Sequence, residues 1–298
     1  MIEKINLKLL LTLCWAMVLA VALPACSNDD DPGQGKDSEE EGFLSPELME
    51  KILSIYGSAS YGPQTVTEVN QLAILTSMCA SLEGRGPITL TPAQLNGKDI
   101  TLLTLGGTQE VEGQATTMEE SRLAAMGSDN DYLKAVVALF DNGTIPTNKP
   151  VLVTGISLGG MIAQQLMGVE CVTSKYEIAA VITFGSPITL PIHREHYKVI
   201  RFADVNDKVP VLGESMLRMG LLTSGQMTKP ELKTLLDALD NRERIARTSK
   251  YTDMISTHAL SYIEDPCWSD IDFMGDKSKK NKLELKEEMH FYPAPKLN

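Results

Sequence analysis

Gly155-Ile156-Ser157-Leu158-Gly159 is a G-x-S-x-G pentapeptide, a spacing that lets a serine hydroxyl act as a nucleophile. The chemistry needs a sharp strand-to-helix turn that pushes the hydroxyl out, and glycines on either side so that neighbouring backbone can approach without a Cβ in the way. Such a serine also needs a base, a carboxylate to orient that base, and donors for an oxyanion, in the chain order serine, acid, histidine. The chain has four histidines, His193, His196, His258 and His290. His193 and His196 follow too closely on the apolar run 178–184 to serve as the base and read as surface residues. His258 and His290 remain as bases, and Asp207 and Asp204 as acids. The same residues have inert readings: a glycine-rich turn around Ser157, a turn-capping Asp207 and a buried structural His258.

These groups have to be held by strand ends, and the sequence offers them. Ile100 to Leu105 runs into Gly106-Gly107, and Val151 to Thr154 into Gly155. Ile178 to Phe184 and Lys198 to Ala203, rich in Val and Ile, also end in turn residues. Helical stretches such as 131–140 and 161–168 alternate with these runs, which predicts an α/β fold with a mostly parallel central sheet flanked by helices. Ser45-Pro46-Glu47-Leu48 predicts a helix start, and Val66 to Leu82 continues in helical period. Gly160 supports close helix-to-strand contact behind the serine.

A formal charge of −12 excludes non-specific binding to a phosphate backbone, so nucleic acid is not an expected partner. Lys4 and Lys8, the apolar run Leu9 to Leu23, and Leu23-Pro24-Ala25-Cys26 predict a signal peptide over residues 1–25 that ends at a lipidated Cys26. A plain signal peptide cleaved near Ala25 is the alternative. Residues 26–42, with Asp29-Asp30-Asp31 and Glu39-Glu40-Glu41, form an acidic flexible tether reaching roughly 20 to 25 Å. Residues 43–298 then read as one domain. Cys79, Cys171 and Cys267 allow one disulfide and one free thiol, or three thiols. No CxxC or HExxH spacing occurs, so neither a metal nor another cofactor is expected.

Four ordered segments resemble the class 3 lipases, the fungal-type family within the α/β-hydrolases. LLTLGGT at 102–108 is similar to that family's strand and oxyanion loop, and VTGISLGG at 153–160 to its nucleophile elbow. VITFGSP at 181–187 is similar to the strand that follows, and VIRFADVNDKVPVL at 199–212 to the strand leading to its acid. HALSY at 258–262 looks like its catalytic histidine followed by an aromatic. The resemblance implies an α/β-hydrolase fold with Ser157 as nucleophile, Asp207 as acid and His258 as base, and oxyanion donors from Leu158 and Thr108. The sequence departs from the family at Ile156, Gly106 and Gly213. The acidic residues behind Cys26 resemble the surface-export signal of Bacteroidetes lipoproteins. They imply a chain lipid-anchored to the outer membrane and facing the cell surface.

The expected activity is hydrolysis of a small-molecule or lipid ester through an acyl-enzyme, falling as pH drops through roughly 6 to 7, where histidine ordinarily takes up a proton. Acyl transfer, thioester hydrolysis and a non-catalytic binding lipoprotein are the competing functions. Residues 110–130 occupy the place of the family's lid but are polar, with Leu123, Ala124, Ala125 and Met126 as their main apolar patch. Thr228-Lys229-Pro230-Glu231 predicts a capped helix. Its stripe of Leu232, Leu235, Leu236 and Leu239 reads as core or cap packing, or as the wall of an acyl groove.

Overall fold

The apolar runs of the sequence lie side by side at the centre of one nine-stranded sheet. The computed structural model describes residues 50–297 apart from 53, 57–59, 82–84, 110, 192, 193, 195, 224–226, 278 and 279. The strands are β1 (Thr65–Val66), β2 (Ile88–Leu95), β3 (Lys98–Leu105), β4 (Val151–Ile156), β5 (Ile178–Phe184), β6 (Val199–Asp204), β7 (Arg244–Arg247), β8 (Leu283–Leu285) and β9 (His290–Tyr292). The helices used below are α1 (Val69–Ser81), α2 (Met118–Ala125), α3 (Asp131–Asp141), α4 (Leu158–Gln165), α5 (Glu170–Thr173), α6 (Val209–Thr223), α7 (Lys229–Glu243) and α8 (Met254–Glu264). The signal peptide, Cys26, the tether and the helix start at Ser45 all fall outside the described residues.

The strand order is β1-β8-β2-β3-β4-β5-β6-β7, with β9 also paired to β2. Strands β3 to β7 are mutually parallel, and the β2 side of the sheet is antiparallel. The fold is therefore α/β, with a mixed sheet whose central block is parallel. Parallel strands are buried on both faces, and every residue of β4 is buried, the polar Thr154 among them. Leu152 joins one core layer with Leu102, Ile182 and residues of α1 and α8, while Val151 and Val153 join the other with residues of α3 and α4.

Two differences from the sequence reading have local causes. Val66 lies in β1 and not in the helix, which begins at Val69. Strand β2 carries Pro92, a residue that argues against an interior strand. It is tolerated because β9 pairs with residues 88–90 and β8 with 93–95, so that the missing N–H falls between the two partners.

Helix α7 starts as expected: the Glu231 carboxylate accepts from Thr228 N at 2.9 Å and Thr228 Oγ1 at 2.7 Å, which holds it below the usual range. Its Leu232, Leu236 and Leu239 pack with Leu217 and Leu221 of α6 and with Ile188, making a small third core. The stripe is packing, as the first of its two readings expected. The end of α7 is fastened by a buried ion pair. Arg194 donates through Nε to Glu243 Oε1 at 3.0 Å and through Nη2 to Glu243 Oε2 at 2.8 Å. Arg194 Nη2 also reaches Gln164 Oε1 on α4 at 2.9 Å, so the α6–α7 pair is joined to the helix behind Ser157.

Candidate active site

Ser157 follows β4 and precedes α4, with φ 52° and ψ −119°. Positive φ is uncommon for a residue with a Cβ and marks a position the surroundings enforce. The enforcement comes from glycines at which a side chain would collide with main chain. A Cβ on Gly155 would lie 2.3 Å from Gly159 O, and one on Gly159 would lie 2.1 Å from Leu105 O. The G-x-S-x-G spacing is thus required by two backbone contacts, one inside the elbow and one between the elbow and the end of β3. Ser157 N donates to Phe184 O at 2.9 Å, which fixes the turn against β5.

The carboxylate and imidazole come from the far side of β5. Asp207 sits in the turn after β6, where its Oδ1 accepts from Val209 N at 3.0 Å at the start of α6. Its Oδ2 lies 2.7 Å from His258 Nδ1. His258 is on α8, whose N-cap Asp253 accepts from Ser256 N at 2.8 Å. Both side chains are buried. Gly185, at φ +55°, is where the pair meets the elbow strand: a Cβ there would stand 2.9 Å from Asp207 Oδ2 and 3.0 Å from His258 Cε1. The residue before it, Phe184, carries the carbonyl that receives Ser157 N. His258 Nε2 is buried and makes no hydrogen bond among the described residues, so it is not bonded to Ser157 Oγ in this state. Bonds of this kind are often long without substrate and tighten when it binds.

The loop after β3 lies directly against the elbow. A Cβ on Gly107 would sit 3.4 Å from Ser157 Cβ and 3.6 Å from Ile156 Cγ2. Gly106 is held from behind, its N–H donating to Pro87 O at 2.8 Å and its carbonyl accepting from Tyr132 at 3.2 Å. Among the described residues, the N–H groups of Thr108 and Leu158 take part in no hydrogen bond. Ile156 lies against the same loop, its Cγ2 3.6 Å from where a Cβ on Gly107 would be, and Gly213 leaves no space for a side chain, since a Cβ there would lie 2.3 Å from Pro187 Cγ.

Tyr262 is the neighbour that the sequence reading noted only as an aromatic. Its hydroxyl donates to Asp207 Oδ2 at 2.8 Å and accepts from Asp204 N at 3.0 Å. Burial and the nearby Asp207 charge push the phenol well above its usual range, so it stays a donor. The signal was present: four residues after His258 on a helix places Tyr262 one turn along the same face. Its ring stacks on Trp268 at 5.7 Å and lies 6.3 Å from Phe184, which leaves the hydroxyl little freedom.

The remaining candidates lie elsewhere or serve other ends. Asp204 caps the turn, its Oδ1 accepting from Asn206 N at 2.9 Å, and the histidine turns to Asp207 instead. His290 is on β9, exposed and 3.9 Å from Glu287. His196 is exposed, and His193 falls outside the described residues. Cys171 and Cys267 are free thiols, while the side chain of Cys79 is outside the described set. Among the described residues no three His, Cys, Asp or Glu side chains are grouped to hold a metal. Compared with protein-family models, with curated proteins and with solved structures, the chain matches none of them.

Proposed function

We propose that this chain is a serine hydrolase of carboxylic esters with an α/β-hydrolase fold, akin to the class 3 lipases. The observation that carries the reading is the conjunction of a serine at φ 52° on a strand-to-helix turn with a buried Asp207–His258 pair across Gly185. In this reading His258, its Nδ1 proton held by Asp207, takes the Ser157 proton through Nε2 as the hydroxyl attacks the ester carbonyl. The tetrahedral oxygen is received by the N–H groups of Leu158 and Thr108. Loss of one such donor costs about 2.7 to 4 kcal/mol of transition-state stabilisation. The alcohol leaves with the proton from His258, and water activated by the same imidazole clears the acyl group.

The proposal extends to setting. A lipidated Cys26 and the acidic tether would hold the hydrolase at the outer membrane, facing the cell surface, with small-molecule or lipid esters as substrates. The alternative is a non-catalytic binding protein that keeps the same fold. A panel of p-nitrophenyl esters of increasing acyl length, assayed on the native chain and on Ser157→Ala, decides between the two. Turnover that disappears with Ser157→Ala supports the hydrolase; equal background in both supports the binding protein.

A further inference from the structure

Residues 111–130 stand where the class 3 lipases that the sequence resembles carry a cover, and in this protein the segment is bonded to the body at several points. Gln109 N donates to Thr116 O at 2.6 Å, and Thr116 Oγ1 returns a bond to Gln109 O at 3.0 Å. Ala115 N donates to Ala294 O at 2.6 Å. At the far end Thr189 Oγ1 donates to Ala124 O at 2.6 Å, and Asn130 Nδ2 to Gln165 Oε1 at 3.0 Å. Between them the buried Glu120 receives Asp131 N at 2.9 Å. A swinging cover would have to break these largely buried bonds together.

The same segment touches the oxyanion loop at one place. Ser121 Oγ of α2 lies 2.7 Å from Thr108 Oγ1, and Ser121 also reaches Thr117 O at 3.1 Å. A serine hydroxyl has one hydrogen, so this pair has two directions. With Ser121 donating to Thr117 O, Thr108 donates to Ser121. With Ser121 turned toward Thr108, Ser121 donates and the Thr108 hydroxyl hydrogen is free for another acceptor. Either way the contact restrains the Thr108 side chain, next to Gly107 on the loop that lies against the elbow.

We propose that α2 is a fixed wall of the site and that Ser121 is a positioning residue that holds Thr108 where its donors meet the developing oxyanion. The inference rests on the serine-hydrolase reading above. It separates from a mobile cover by sign: if α2 had to leave, cutting its tie to Thr108 would ease opening and raise the rate.

The test is steady-state kinetics of the native full-length chain, Ser121→Ala, Ser121→Thr, Thr108→Val and the Ser121→Ala/Thr108→Val double variant on a short-chain p-nitrophenyl ester, with thermal unfolding and fluorophosphonate labelling of each. The expected result is a kcat lowered about tenfold to a hundredfold in Ser121→Ala with KM unchanged. Ser121→Thr should restore it, and Ser121→Ala should add little on the Thr108→Val background. A Ser121→Ala chain as fast as the native one, or faster, overturns the inference while native labelling at Ser157 leaves the hydrolase reading standing. Recovery of thermal stability without recovery of rate in Ser121→Thr also overturns it. A native chain that neither turns over nor labels removes both.

Discussion

Tyr262 and His258 meet at a single oxygen, Asp207 Oδ2, at 2.8 Å from the phenol and 2.7 Å from the imidazole Nδ1. The carboxylate is thereby held on the face of α8 that carries the histidine. Tyr262→Phe keeps the ring stacked on Trp268 and removes only the hydroxyl. Hydrogen bonds to charged groups are worth about 1.5 to 3 kcal/mol, so kcat should fall about tenfold to a hundredfold with little change in KM. The variant also strips Asp204 N of its buried acceptor, and the chain should lose about 1 to 3 kcal/mol of stability in denaturant unfolding.

The elbow predicts a contrast between glycines. Gly159→Ala puts a Cβ 2.1 Å from Leu105 O, whereas Gly107→Ala meets its nearest atom at 3.3 Å. Gly159→Ala should destabilise the chain by roughly 3 kcal/mol or more and abolish ester turnover, and Gly107→Ala should retain the fold. Thermal unfolding of the two variants side by side checks this.

Glu120 gives a pH dependence whose sign is fixed. Burial, opposed by the N–H of Asp131, holds its carboxyl above the ordinary carboxylate value. The folded chain therefore binds this proton more tightly than the unfolded one. The contribution is fully present below the unfolded value and is lost as pH rises through the folded one. The melting temperature of the native chain relative to Glu120→Gln should fall as pH is raised from the acid side through that window. A difference that does not change with pH contradicts the assignment.

Cys267 should be a poor nucleophile. Burial first, then the hydrogen bond and charge of Asp265, push its thiol up to about 12. At pH 8 the thiolate fraction is then on the order of one in ten thousand, and iodoacetamide should modify it far more slowly than glutathione in the same tube. Cys171, whose thiol is raised as well, should follow it in peptide mass spectrometry.

The parts of this molecule readable from sequence are those in which a residue type is imposed by backbone geometry. The four central strands were legible because parallel strands buried on both faces are predominantly apolar, and the elbow was legible because Gly155 and Gly159 face main chain where no side chain fits. Strands β7, β8 and β9 were not: they are three or four residues long, and their burial comes from partners far along the chain. The choice of Asp207 over Asp204 came from the family resemblance. Three residues apart, they are distinguished only by which one faces α8. The Ser121–Thr108 contact was invisible for the same reason, since a serine on a polar helix carries no sign of what it touches.

The central claim is that Ser157 is an activated nucleophile. Its most direct test is fluorophosphonate labelling of the native full-length chain beside Ser157→Ala and His258→Ala, with the modified peptide identified by mass spectrometry. Covalent modification confined to Ser157, lost in Ser157→Ala and strongly slowed in His258→Ala, is the predicted result. A folded native chain that stays unlabelled, or one labelled equally well without His258, would contradict the account.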